Sequence, residues 1–366
     1  MITVRRATLE DKPAIFEFLK LAYAGRWQYK FPQRWEWQFE HNPCRGDGPL
    51  PVWIAVDEGS GRVVGQSCAM LEPLRIGTAE GVVAWGVDFF VLPEYRRQGI
   101  GRRLQQANRD AHEFFMSVSM AEPARRIKAA LEMTPLPPVP VFSRRARYQP
   151  SEAAQAVARR TGITLPAGMA QGLSAVLNAW LDLRDRRLLA VMHPKIDLVR
   201  VESFGPEFDR LWQSLSPHFH ALVRREAAFL EWKYRRQPHV RYACLLARRS
   251  GQPCGYVIFR IGQPPERQVG ILADLFAAPD DTATIRTLLA AALLCCKRQR
   301  VSNIVAASSI VTYQRELTRL GFRVVRTTTP MFYCRASSVE TAAAQRPGAW
   351  LFAKGDQDWD QFPLGG

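Results

Sequence analysis

The sequence predicts an α/β fold (mixed α+β sheets) built as two tandem domains joined by a helical linker, and three observations carry the prediction. At 366 residues the chain is longer than one typical domain, and its 47% hydrophobic content suffices for real cores. A short strand, Val87 to Val91, apolar apart from Asp88, runs through a glycine-bearing loop into a helix. Three stretches of the first half recur in the second in the same order and at similar spacing, the mark of a duplicated unit.

Taken in order, Ile2 to Ala7 alternates as an opening strand. Thr8-x-x-Asp11 supplies a helix start, with Thr8 as N-cap and Asp11 in the capping-box place. Pro13 is tolerated in the first turn, and Ile15, Phe16, Phe18, Leu19 and Ala22 form the apolar face. Residues 26–43 are rich in tryptophan and arginine (Arg26, Trp27, Arg34, Trp35, Trp37). Their rings suit stacking on a ligand or, more simply, packing against a sheet. After the Gly/Pro-rich loop Cys44 to Pro51, Val52 to Val56 and Val63 to Met70 flank Asp57-Glu58-Gly59-Ser60-Gly61, a hairpin. Val82 to Val91 is the next strand, ended by Pro93, which cannot donate to a ladder.

Between that strand and the helix containing Gln105 to Asn108 lies Arg96-x-x-Gly99-x-Gly101. Glycines let backbone approach a ligand closely, and the N–H groups opening a helix attract anions. Arg102 and Arg103 in the first turn oppose the helix dipole, so a bound anion would relieve them. The loop reads as a pyrophosphate cradle. A dinucleotide fingerprint would need a third glycine near Arg103, and a P-loop would need Gly-Lys-Ser/Thr, which is absent. A tight turn that is merely basic is the remaining alternative.

Val91-x-Pro93-Glu94-Tyr95-Arg96-x-x-Gly99-Ile100-Gly101-x-x-Leu104 resembles, nearly position for position, the acetyl-coenzyme A loop of the GNAT superfamily of N-acetyltransferases. The resemblance implies that loop amides hold the pyrophosphate and that the preceding strand splays to admit the pantetheine. It assigns cofactor contacts to Phe90, Val91, Arg96, Arg97, Gln98, Gly99, Ile100, Gly101 and Arg102, with the N–H near Val91 polarising the thioester. The implied co-substrate is acetyl-CoA or another acyl-CoA, with no metal. The opening strand and capped helix also resemble the family, in which residues 26–43 would wall the acceptor site.

Phe115 to Ser119 reads as the following strand and Ala124 to Leu131 as the last helix of the first copy. The family often carries an asparagine before this helix, a thiolate-protonating tyrosine near its end, and then a Gly-aromatic pair. Ala129-Ala130-Leu131-Glu132-Met133-Thr134 has neither tyrosine nor Gly-aromatic pair, so the usual general acid is missing or comes from elsewhere. Val139 to Arg145 closes the first half as a proline-bearing strand.

In the second half, Glu36-Trp37-Gln38-Phe39-x-x-Asn42-Pro43 returns as Glu231-Trp232-Lys233-Tyr234-x-x-Gln237-Pro238. Ser60-Gly61-x-x-x-Gly65 returns as Ser250-Gly251-x-x-x-Gly255, and Asp88-Phe89-Phe90-Val91-x-Pro93 as Asp274-Leu275-Phe276-Ala277-x-Pro279. Ile304 to Ala306, Gln314 to Leu320 and Gly321-Phe322 complete a strand, a helix and the Gly-aromatic pair. The arrangement resembles two-domain GNAT proteins of the mycothiol synthase type. Asp280-Asp281 stands where the loop should be, however, and like charges oppose pyrophosphate there. The second copy is therefore read as degenerate, leaving one cofactor site. The divisions are 1–149 (first GNAT domain), 150–194 (helical linker), 195–336 (degenerate copy) and 337–366 (tail without assigned chemistry).

Seven cysteines without C-x-x-C spacing indicate neither zinc nor a disulfide framework. Leu288 to Cys296 is too short to span a bilayer, and no signal-peptide pattern opens the chain, so a cytoplasmic protein is expected. The net charge of +16 comes almost wholly from arginine, scattered in pairs such as Arg125-Arg126 and Arg235-Arg236. Such charge suits nucleic acid, a membrane surface or small acidic ligands, and coenzyme A is a sufficient partner for part of it. No nucleic-acid partner is expected.

Acyl transfer to an amine needs a rigidly held thioester, a neutral amine and oxyanion stabilisation. Asp88, the nearest acid in the strand, is the candidate base, with Glu122 behind it. The recurrence of Asp88 as Asp274 in a loopless copy argues for a structural part instead. The expected function is an N-acyltransferase acting on a primary amine of a small molecule or peptide by direct attack in a ternary complex. The rival readings are a non-catalytic acyl-CoA-binding or scaffold protein and an aminoacyl-tRNA-dependent transferase.

Overall fold

The computed structural model describes all residues except Arg26, 263–267, 337–338 and 362–366. Arg26 of the aromatic stretch and both of those segments of the expected tail thus lie outside the described residues. The first half opens with β1 (Ile2–Arg6) and the capped turn, where the Thr8 N–H donates to Asp11 Oδ2 at 2.8 Å. Next come α1 (Lys12–Ala22), α2 (Trp27–Lys30) and α3 (Gln33–Trp35). The hairpin β2 (Val52–Asp57) and β3 (Arg62–Ile76) leads to β4 (Ala79–Val91), α4 (Ile100–Asp110), β5 (Phe114–Ser117) and α5 (Glu122–Ala130). The half closes with β6 (Thr134–Pro135) and β7 (Val139–Arg145). Strands β3 and β4 run well past the expected Val63–Met70 and Val82–Val91. Their extension meets at Gly77, whose φ of 59° suits the turn, and β3 there pairs with a strand of the second half.

The intervening segment forms α6 (Pro150–Thr161) and α7 (Ala167–Ala190). Ala170, Leu181, Asp185 and Leu188 of α7 are buried, while Met169, Val176, Trp180 and Leu183 are exposed. Asp185 ties α7 to both halves, its Oδ1 pairing with Arg144 of β7 and its Oδ2 lying 3.1 Å from Lys297 Nζ of the second half.

The second half contributes β8 (Ile196–Val201), α8 (Pro206–Leu215), β9 (Ala221–Val223), α9 (Ala227–Tyr234), β10 (Tyr242–Arg249), β11 (Gln252–Gly262) and β12 (Val269–Ala277). It continues through α10 (Thr282–Arg298), β13 (Asn303–Ala307), α11 (Val311–Arg319), β14 (Arg323–Thr328), β15 (Met331–Cys334), α12 (Val339–Ala343) and β16 (Trp350–Leu351). Two mixed sheets result among the described residues. One runs β1-β2-β3-β4-β5-β15-β6 with β9 and β16 attached; the other runs β14-β7-β13-β12-β11-β10-β8.

The halves exchange a strand. β7 of the first half pairs with β13 and β14 of the second sheet, and β15 of the second half lies between β5 and β6 of the first. The sheets therefore interlock across the expected division at residue 149. The duplicated tryptophans meet at this junction: Trp37 and Trp232 stack with centroids 4.8 Å apart, and Trp37 Nε1 donates to Trp232 O at 3.1 Å. Trp35, Trp37 and Phe39 are buried, so these rings of the aromatic stretch pack rather than face solvent.

The chain then folds back into its own interior. Residues 350–361 are buried, with Trp350 on β9 and Ala353 bridged to Ser308. Three of their carboxylates meet arginines: Asp358 with Arg34 Nη2 at 2.9 Å, Asp356 with Arg225 Nη2 at 3.1 Å, and Asp360 with Arg260 Nε at 3.2 Å. Buried ions need such partners.

Candidate active site

The central cavity arises where β4 and β5 part. They pair in parallel at Val83/Phe114, Ala84/Phe115 and Trp85/Met116, then separate from Gly86 and Ser117 onward. A cavity of about 880 Å³ opens between them. Gly86 is needed there, because a Cβ would stand 2.7 Å from Ser117 Oγ and 2.8 Å from Phe115 Cζ. Ser117 Oγ is buried without a hydrogen-bond partner among the described residues, an orphan that a ligand could satisfy.

At one end stands the predicted cradle. Gly99, at φ 74°, is the N-cap of α4, a left-handed position that favours glycine. The opening N–H groups of α4 have no intrahelical acceptor. Arg96, Arg97 and Arg102 line this end, while Arg103 turns away to donate to Ile2 O at 3.1 Å. Arg96 Nε donates to Val91 O at 3.0 Å and lies over the Phe90 ring, which braces the loop against its strand. A side chain at Gly101 would come 3.2 Å from Phe89 Cζ. Cations, free helix N–H groups and apolar walls from Phe89, Phe90 and Ile127 fit an acyl-CoA, with phosphates at the α4 end.

The inner end gathers titratable groups. Opposite Ser67, β4 carries two residues, Asp88 and Phe89, a bulge that puts Asp88 at φ 48°. Its Oδ1 pairs with Lys30 Nζ and lies 3.5 Å from the Tyr23 hydroxyl. Burial, then the Asp88 charge, holds the Tyr23 phenol protonated well above its usual range. Lys128 of α5 enters from behind, donating to Gln105 Oε1 at 2.7 Å, and burial pushes its amine down to about 7. The C-terminal segment supplies the last wall: Gln357 Nε2 donates to Gly86 O at 2.9 Å, and Lys354 and Asp358 line the cavity. Burial, reinforced by Arg326, lowers Lys354 to about 7 as well.

Of the residues predicted to hold the cofactor, Phe90, Val91, Arg96, Arg97, Gly99, Gly101 and Arg102 line this cavity together with Asp88. Ile100 packs into the core instead, and Gln98 Nε2 reaches back to Glu94 O. Glu122 is outside the lining, paired with Arg125 and Arg126. Sequence reasoning missed Lys30, Lys128, Lys354 and Asp358. Lys128 alone left a local signal, a lysine on the helix face shared with Ala124 and Ile127.

The second copy has the same frame, closed. Asp281 caps α10, its carboxylate accepting from the Thr284 N–H at 3.1 Å and pairing with Arg249. The corresponding strands, β12 and β13, also part after three pairs, and the chain's own tail fills the gap: the Gly355 N–H donates to Ala273 O at 2.6 Å. Asp274, the counterpart of Asp88, is tied up by Arg225 at 3.0 Å and by the Tyr256 hydroxyl at 2.8 Å. Among the described residues no cluster able to hold a metal ion occurs, and no helix is long and apolar enough to cross a membrane.

Comparison with known proteins matches these features. Residues 49–128 fit the model of the acetyltransferase (GNAT) domain. No curated protein sequence matches the chain significantly. Among solved structures, a GCN5-related N-acetyltransferase from Anabaena variabilis ATCC 29413 is 12% identical, with TM-score 0.59, covering 91% of this chain and 73% of that one. A second, from Kribbella flavida, is 14% identical at TM-score 0.58, covering 91% and 71%. Saccharomyces cerevisiae N-myristoyltransferase with bound myristoyl-CoA is 10% identical at TM-score 0.55, covering 92% and 83%. At these identities the likeness is one of fold. The chain thus has a tandem GNAT-like fold, and residues 49–128 of its first half match the acetyltransferase (GNAT) domain.

Proposed function

We propose that the chain is an acyl-CoA-dependent N-acyltransferase, with acetyl-CoA as donor and a primary amine of a small molecule or peptide as acceptor. One observation carries the reading: a single groove joins an anion-attracting helix start to a buried cluster of carboxylates and amines. The thioester supplies the activated acyl group; the chain's residues bind, orient and move protons. The α4 N–H groups, Arg96, Arg97 and Arg102 hold the phosphates, and Phe89, Phe90 and Ile127 exclude water from the pantetheine arm. Asp88, oriented by Lys30 and Tyr23, accepts the proton of the attacking amine. Lys128, whose amine burial lowers to about 7, supplies a proton to the departing sulfur in place of the missing tyrosine.

The test is calorimetric titration with acetyl-CoA. Wild type is expected to bind one equivalent, and Gly101→Asp to lose binding while keeping its circular dichroism spectrum. The introduced carboxylate repels phosphate, and its Cβ crowds Phe89. Absence of binding by folded wild type sinks the proposal. Binding without release of free thiol, across a panel of amines, would leave an acyl-CoA-binding protein that is not an enzyme.

A further inference from the structure

A second cavity, of about 1280 Å³, lies on the far side of Tyr23 and Lys30, which line it and the acyl-CoA groove alike. Its apolar floor comes from Tyr29, Phe259 and Ile261, and its charge from Arg200, Arg241, Arg260 and Arg298 besides Lys30. No aspartate or glutamate lines it among the described residues. Asp360 neutralises Arg260, and Glu202 pairs with Arg200 through an exposed bridge of little worth. Arg241 and Arg298, exposed at the mouth, form no ion pair among the described residues. A cationic ligand here would meet uncompensated like charge, whereas two guanidinium forks suit carboxylate or phosphate oxygens.

We propose that this cavity is the acceptor subsite and that the acceptor is an anionic amine. Its carboxylate or phosphate groups sit between Arg241 and Arg298, and its amine points past Lys30 toward Asp88. The inference rests on the acyltransferase reading, but its anion-binding half can be tested separately.

The experiment titrates inorganic pyrophosphate, and in a parallel arm citrate, into protein saturated with coenzyme A. Wild type is compared with the Arg241→Ala/Arg298→Ala double variant. Loss of two opposing charges is expected to weaken at least one probe about tenfold or more, with coenzyme A affinity unchanged. The stronger arm identifies phosphate or carboxylate as the preferred group. No binding of either probe, or equal affinity in both proteins, overturns the site. Should coenzyme A itself fail to bind, the acyltransferase reading falls, and the difference between the two proteins still decides the anion site. Thiol release from acetyl-CoA then compares matched amines: glucosamine 6-phosphate with glucosamine, and glutamate with its diamide. Faster turnover of the anionic members is expected and should vanish in the double variant; faster turnover of the neutral members overturns the proposal.

Discussion

Replacing Lys128 by methionine separates what this side chain does for catalysis from what it costs the fold. The amine is fully buried, and burial lowers it from 10.5 to about 7. The unfolded chain therefore holds a proton between those pH values that the folded chain does not, so stability rises with pH across that window. At 1.36 kcal/mol per pH unit, the cost is roughly 5 kcal/mol below pH 7 and fades by pH 10.5. Methionine matches the length without the charge, but it leaves Gln105 Oε1 without its donor, a loss of about 1–3 kcal/mol. The variant should then be about 2–4 kcal/mol more stable than wild type at pH 7 by urea denaturation, with the advantage gone near pH 10. In the same protein turnover should fall about 10²-fold or more, with acetyl-CoA affinity nearly unchanged. A variant that is less stable at pH 7, or whose stability follows pH as wild type does, would refute the burial argument. Unchanged turnover would remove Lys128 from the chemistry.

Asp88→Asn should lower turnover about 10²-fold at nearly constant acetyl-CoA affinity, because the amide keeps the contact with Lys30 but is no base; stopped-flow thiol release measures it. Arg34→Met strands Asp358 and should destabilise the protein by about 3–5 kcal/mol in denaturant titration. His112, packed against Trp53, is lowered by burial, then by Arg6 and Arg335, to about 4. The unfolded chain takes up that proton first, so up to roughly 3 kcal/mol is lost as pH falls from 6.5 to 4. His112→Phe should flatten that part of the acid stability curve, and an unaltered curve would show that another group governs it.

What was legible in the sequence was local or repeated. Thr8-x-x-Asp11, Gly99 at its left-handed cap and the turn at Ser60-Gly61 announce themselves because short-range geometry restricts the residue type. The duplication was visible because three motifs share an order, and two of its tryptophans turn out to touch. Periodicity says which face of a strand is apolar but not which sheet receives it, so the crossing of β7 and β15 left no trace. The cavity's inner end was hidden for a related reason. Lys30 and Asp88 are 58 positions apart, and Arg34 and Asp358 are 324 apart. Only folding brings such pairs within reach.

The two copies answer the same physical problem in opposite ways. A strand pair that splays beside a helix start exposes backbone groups that need partners. The first copy leaves this frame open, with a glycine at the helix cap, cations around it and an orphan Ser117 Oγ within. In the second, Asp281 caps the helix start and Leu351 to Gly355 occupy the splay. Once inserted there, the segment has only a few residues to cross before Gln357 reaches Gly86 and Asp358 reaches Arg34. Closing the second frame and completing the first are thus consequences of one insertion. The loopless copy therefore serves the first groove as the support that aims the tail into it.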